Sequence, residues 1–226
     1  MNFEEVVRTT FAAREFITEP IPNEALYHIL EHARFAPSGG NRQGWHVIIV
    51  RDRAVRRQLA EMMQPVWRIY RAQVSAGENP LNTIHASGVE PGEARQRPAP
   101  SPLLDGLDDP HKVPTLLVVT VDLSVVASMD KDLDRIGVIS GASIYPFVWN
   151  ILLAARNAGY GGTLTTFLAA AEPAAKELLG IPEHHAVAAM VPLGRPVKQL
   201  TKLRRKPVED FATWDRFEGD TFSLQI

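Results

Sequence analysis

The sequence predicts an α+β fold, on three observations. Three apolar runs read as strands, at residues 46–50, 115–121 and 186–191. Segments with helical spacing lie between them, but not in the regular alternation that a doubly wound sheet requires. A chain of 226 residues that is 45% hydrophobic can bury a core as one domain, or as one domain with an insertion.

The elements follow in order. Residues 2–13 predict a short helix with Phe3, Val6, Val7 and Phe11 on roughly one face, broken off by Pro20 and Pro22. In the next helix Leu26, Ile29, Leu30 and Ala33 recur at the spacing of a buried stripe, with Pro22 at its tolerated start. It must end before Pro37, which pushes Ala36 away from helical angles. Residues 46–50 are continuously apolar, as in a strand covered on both faces. Asp52 suits the N-cap of a helix carrying Val55, Leu59, Met62 and Met63.

Residues 68–112 are rich in Pro, Gly and charge without a sustained period, and read as a lid insertion within a single domain spanning 1–226. This insertion is expected to lie over an otherwise complete scaffold. After the strand at 115–121, residues 134–158 form the longest helix candidate, in which Pro146 marks a kink or a restart and Gly159 the end. A short helix at 173–179 ends at Gly180, and a strand follows at 186–191. Residues 221–226 alternate as an edge strand would.

Composition narrows the function. A formal net charge of −2 argues against a nucleic-acid binder. The absence of cysteine excludes disulfides, thiolate metal sites, iron–sulfur clusters and a cysteine nucleophile. The N-terminus lacks the pattern of a signal peptide and no apolar run is long enough to span a bilayer, so a soluble cytoplasmic protein without a membrane partner is expected.

Several sites fail on pattern. Residues 159–162 follow a helix and lack GxGxxG, and no Gly-x-Ser-x-Gly elbow is present. His184 and His185 are adjacent, and on a strand would point to opposite faces. His28 and His32 have i, i+4 spacing, but no partner ligand set follows them, so no metal site is expected.

The stretch from Pro37 through Ser38, Gly39, Gly40 and Asn41 to Gln43 is the most informative. Two glycines let the backbone turn tightly and approach a flat ligand, while Ser38, Asn41 and Gln43 both donate and accept hydrogen bonds. Such a loop suits a heteroaromatic ring; an ordinary helix-to-strand turn is the alternative. Arg195, Lys198, Lys202, Arg204, Arg205 and Lys206 form a basic run that reads as solvated surface or a phosphate grip.

Taken in order, these stretches resemble the nitroreductase family. They are Arg14-Glu15-Phe16, Glu19-Pro20-Ile21-Pro22, Ala33 to Asn41 with Gln43 and Trp45, Asn150 to Ala155, Gly159-Tyr160-Gly161-Gly162, Glu177 to Pro182, Pro192 to Pro196, and Arg205-Lys206-Pro207. The resemblance spans nearly the whole chain except residues 68–112. It implies a central, mostly antiparallel sheet flanked by helices, and an intertwined homodimer holding FMN between subunits. NADH or NADPH would serve as co-substrate, and the flavin itself would be the reactive centre. The acceptor would be a small electron-poor molecule such as a nitroaromatic, quinone or activated alkene. The same scaffold also hosts reductive dehalogenation and flavin breakdown, and a non-enzymatic flavin-sequestering protein is the further alternative.

The resemblance also assigns residues. Arg205 matches a basic residue on the FMN phosphate, where a guanidinium offers a bidentate fork. The family's Arg-x-Ser-x-Arg-x-Phe reads here with Thr10 for the first arginine, Ala12 for the serine, and Arg14 retained; Arg8, one helical turn earlier, is placed to supply the missing charge. Gly161, Gly162 and Thr163 match the segment whose backbone N–H approaches flavin N5. Pro37, Ser38, Gly39, Gly40, Asn41 and Gln43 complete the cofactor set.

Overall fold

A computed structural model describes residues 1–224 of the chain. Its elements are α1 (Phe3–Thr9), α2 (Asn23–Ala33), β1 (Trp45–Val50), α3 (Arg53–Ser75), α4 (Pro91–Gln96), β2 (Thr115–Asp122), α5 (Tyr145–Asn157), β3 (Gly161–Gly162), α6 (Glu172–Leu179) and β4 (His185–Gly194). The strands form one four-stranded sheet in the order β1-β2-β4-β3, with every strand pair antiparallel. The predicted α+β class and helix-flanked antiparallel sheet are what the chain adopts.

Strand β2 lies at the centre, and its apolar run explains why. Every residue from Thr115 to Val121 is buried, and alternate side chains serve opposite layers. Leu117, Val119 and Val121 pack against Leu26 and Ile29 of α2 and Val148 and Ile151 of α5. Leu116 and Val118 enter the other layer with Leu59 and Met63 of α3, Ala175 of α6, and Leu103, Leu104 and Leu107. Each such large side chain contributes about 1.5–3 kcal/mol of burial.

Local signals set several boundaries as expected. The Asp52 carboxylate accepts the Val55 N–H at 2.9 Å and starts α3. Pro22 caps α2, and Gly159 and Gly180 close α5 and α6. Pro146 marks a restart, since α5 begins at Tyr145 after a 3-10 turn at Ile139–Ser143.

Other expectations are corrected. Helix α1 stops at Thr9, because the Thr10 hydroxyl turns back to the Val6 carbonyl at 2.7 Å and the following residues bond to β3. Phe3 and Val7 are exposed instead of lining a core. Strand β1 is not covered on both faces: it is an edge strand with His46 and Ile49 exposed. The longest helix is α3, which continues through Pro65 to Ser75 because Trp67 and Tyr70 pack against Phe167. Residues 134–138 are not helical.

The insertion at 68–112 is also not wholly separate from the scaffold. It includes the end of α3, the short α4, and three leucines of the second core layer. Among the described residues near the C-terminus the only bridge joins Thr213 to Thr221, and residues 222–224 form no strand. Gln225 and Ile226, the end of the expected strand, lie outside the described residues.

Candidate functional site

The stretch after α1 is tied to the sheet at both ends. Ala12 bridges Gly162, with the Ala13 N–H donating to the Gly162 carbonyl at 2.9 Å. Further on, the Ile17 N–H donates to Arg195 and the Val197 N–H to Glu15. Arg195 reinforces the join by donating to the Glu19 carboxylate at 2.9 Å, a pairing that pushes its guanidinium pKa up, and it lies over the Tyr160 ring. Gly161 and Gly162 make this packing possible. A Cβ on Gly162 would sit 2.4 Å from the Pro192 carbonyl oxygen, and one on Gly161 2.8 Å from the Pro196 ring. The extra glycines after α5 therefore have a packing reason of their own.

Two cavities open at the two ends of this stretch. One, of about 560 Å³, is lined by Val7, Arg8, Thr10, Trp149, Thr201, Lys202, Leu203 and Arg205. It brings together three of the expected cofactor residues, Arg8, Thr10 and Arg205, and adds Lys202. Its cations are lightly engaged. Among the described residues Arg8 pairs only with Glu4, at 3.0 Å on the exposed face of α1, and Arg205 donates to the neighbouring Arg204 carbonyl. An exposed pair of that kind is worth little and yields readily to a stronger anion.

The second cavity, of about 370 Å³, is lined on one side by Arg14 and by residues 163–167. Trp67, Tyr70, Arg71, Ser101, Leu103 and Leu104 form the other side. Trp67 and Tyr70 stack at 5.6 Å, and Phe167 meets both edge-on. Among the described residues Arg14 donates only to the Ala12 carbonyl, at 3.2 Å, and it is exposed. The Thr165 hydroxyl on this wall is buried without a hydrogen-bond partner among the described residues. Lys202 comes from the basic run that reads as solvated surface or a phosphate grip, whereas Arg71 and Phe167 were not among the expected site residues. Trp67, Tyr70 and Val74 at helical spacing were the signal that extends α3 to the cavity wall.

The loop at 37–43 belongs to neither cavity. It is nevertheless tightly built. The Ser38 hydroxyl accepts the Gln43 N–H at 2.9 Å, and the Gln43 amide donates to the Asn41 side chain at 3.1 Å. The Gly39 N–H donates to the Ser143 hydroxyl at 3.2 Å. Gly40, Asn41 and Gln43 all have positive φ, of 62°, 53° and 51°. That conformation is strained for glutamine and persists only where surrounding bonds enforce it. Pro37, Ser38, Gly39, Gly40, Asn41 and Gln43 thus form a second, separate cluster.

The expected opposition of His184 and His185 does not hold. β4 begins at His185, so His184 sits in the preceding turn and strand alternation does not govern it; the two rings lie 4.9 Å apart. Elsewhere, Asp130 is buried and its carboxylate accepts the Val138 N–H at 2.7 Å and an Arg135 N–H at 2.8 Å. These two bonds hold its carboxyl below the usual carboxylate range. No described helix is long and apolar enough to cross a membrane.

Comparison with known proteins supplies the frame for these features. The chain is 27% identical over 201 residues to an NADH dehydrogenase of Thermus thermophilus, covering 89% of this chain and 90% of that one. Nitroreductase A from Vibrio parahaemolyticus superposes with a TM-score of 0.67 at 20% identity, over 96% of this chain and 77% of that chain. An iodotyrosine deiodinase solved with FMN and 3-iodo-L-tyrosine gives 0.64 at 21% identity, over 95% and 99%. The profile described as "Nitroreductase family" matches residues 7–195, most of the sequence and every element of the sheet, so the chain belongs to the nitroreductase family.

Proposed function

We propose that this protein is an FMN-dependent oxidoreductase, working as a homodimer, that uses NADH or NADPH to reduce a small electron-poor acceptor. The observation that carries the reading is the pair of cavities joined by residues 10–14. One end offers Arg8, Thr10, Lys202 and Arg205, and the other offers Arg14, Thr163 and aromatic faces. Four residues of chain span at most about 14 Å, so one ligand with an anionic arm and a flat ring suits both ends. The unpartnered Thr165 hydroxyl fits a ligand edge with hydrogen-bonding atoms.

When bound, FMN supplies the hydride and electron chemistry, which side chains cannot perform. The chain's residues bind and orient. Arg205, Lys202 and Arg8 neutralise a phosphate, Arg205 with a two-pronged fork. Arg14 supplies positive charge that favours an electron-rich, anionic ring. Trp67, Tyr70 and Phe167 exclude water and offer aromatic surface to an acceptor. The strained loop at 37–43 lies outside both cavities, and a second copy of the chain is proposed to bring it to the site. The exposed Phe3, Val7, Tyr27 and Trp149 offer apolar surface for that pairing.

The test is an absorbance spectrum of the purified protein followed by anaerobic reduction with NADH and NADPH. A colourless protein that fails to quench added FMN would overturn the reading. A coloured protein that neither nicotinamide reduces would point to flavin storage. With a single aromatic cavity for donor and acceptor, steady-state lines should be parallel, and a ternary-complex pattern would count against the shared cavity.

A second reading is reductive dehalogenation of a phenol. It is favoured by Arg71 beside the Trp67–Tyr70 stack, suited to an anionic aromatic, and by the similarity to a deiodinase. Reductant-dependent iodide release from 3-iodotyrosine would select it over quinone reduction.

A further inference from the structure

At the end of β4 away from the N-terminal stretch, three potential ligands converge. Asp122, His184 and His185 each offer one ligand atom, and these atoms lie within 4.8 Å of one another. Asp122 closes β2 directly opposite His185 in the β2–β4 register, and His184 comes from the turn before β4. We propose that Asp122, His184 and His185 form a binding site for a divalent late transition metal of the zinc class.

The site is held before any ion arrives. The backbone of each ligand is fixed by a hydrogen bond: Asp122 N–H to Gly44 at 2.8 Å, Leu123 N–H to His184 at 2.9 Å, and His185 N–H to Pro182 at 3.0 Å. The side chains have outer partners too. The Asp122 carboxylate accepts the Ser124 N–H at 2.8 Å and its hydroxyl at 2.6 Å. The Thr120 hydroxyl engages Nδ1 of His185 at 3.0 Å, which fixes the ring. Partners of this kind orient metal ligands, and the Ser124 bonds also hold the Asp122 carboxyl below the usual carboxylate range, in the ionised form a metal takes.

Two imidazoles and a carboxylate are the donor set of a borderline divalent ion, and three protein ligands leave a fourth position for water. The three ligand atoms lie within 4.8 Å of one another, and the His184 side chain is exposed, which leaves it room to turn toward an ion. Lys176, the neighbouring cation on α6, is engaged by the Glu172 carboxylate at 3.3 Å and the Glu183 carbonyl at 3.0 Å.

The site is distinct from the two cavities, since none of its residues lines either one. Nine steps of β4 separate His185 from Gly194, about 30 Å of strand. It does adjoin Gly44, where the loop at 37–43 enters β1. A bound ion would join the start of β1, the end of β2 and the start of β4.

The test uses the full chain, stripped with chelator and titrated with Zn²⁺ by calorimetry and with Co²⁺ by visible absorption. We expect one ion per chain and the bands of four-coordinate Co²⁺. His184→Ala and Asp122→Asn should each weaken Zn²⁺ at least tenfold while leaving flavin content unchanged. The double variant His28→Ala/His32→Ala, which removes the exposed histidine pair of α2, should bind as the parent does. Absence of stoichiometric binding to the parent, full binding by His184→Ala, or loss only in the α2 variant would overturn the site.

Discussion

Arg205 shows how little one side chain reveals until its neighbours are known. In the sequence it is one cation in a basic run; in the fold it shares a cleft with Arg8, Thr10 and Lys202. Arg205→Ala should weaken FMN by about 1.5–3 kcal/mol, one to two decades, in a fluorescence titration. Arg205→Lys should restore part of that, since a point charge lacks the fork. A change within twofold would transfer the phosphate to Lys202 or Arg8. Asp130 gives a prediction of another kind. Its folded pKa is depressed by the Val138 N–H and Arg135. Its contribution to stability is therefore fully present above the unfolded value of about 3.9 and is lost as pH falls through the lower folded value. Asp130→Asn should unfold at a lower temperature than the parent above about pH 5. The difference should close as both are acidified, and a gap independent of pH would remove the carboxylate from the account.

At the scale of elements, the insertion divides into two parts. Residues 77–98 hold α4 and turns, whereas Leu103, Leu104 and Leu107 are buried with Leu59, Met63 and Val113. Replacing residues 77–98 by a short Gly/Ser linker should leave a folded, flavin-binding protein with an altered ranking of bulky acceptors, because loop length adds little closure cost. Extending the deletion through 108 should unfold it, since losing each buried leucine side chain costs about 2–5 kcal/mol. Thermal melts and acceptor profiles of the two deletions separate these outcomes. If the shorter deletion loses the flavin, residues 77–98 belong to the cofactor site.

At the scale of the molecule, all the expected cofactor residues except Gly161 and Gly162, which line neither cavity, fall into two clusters. Arg8, Thr10, Arg14, Thr163 and Arg205 line the paired cavities, while the loop at 37–43 lies outside both. If a second copy supplies that loop, flavin affinity must depend on protein concentration through the dimer equilibrium. Sedimentation should show a dimer. A charge placed on the apolar surface away from both cavities, such as Tyr27→Glu, should weaken both association and FMN binding. A stable monomer with full flavin affinity would remove the partner from the site.

Some of this was legible because its causes are local. Asp52, Pro22, Pro146 and Gly180 act on the turn that contains them, so they fix boundaries wherever the helix goes. The apolar run of β2 fixes a buried strand, and the ordered series of short motifs fixes the family. Other features depend on partners distant in the chain. Edge position exposes β1, although its residues are as apolar as those of a central strand. α1 ends where β3 captures Ala12, and α3 outlasts Pro65 because Phe167 receives Trp67 and Tyr70. His184 and His185 converge because a turn, not a strand, precedes β4. Sequence spacing carries the period of an element, but which neighbour pays for its burial is settled only when the layers pack.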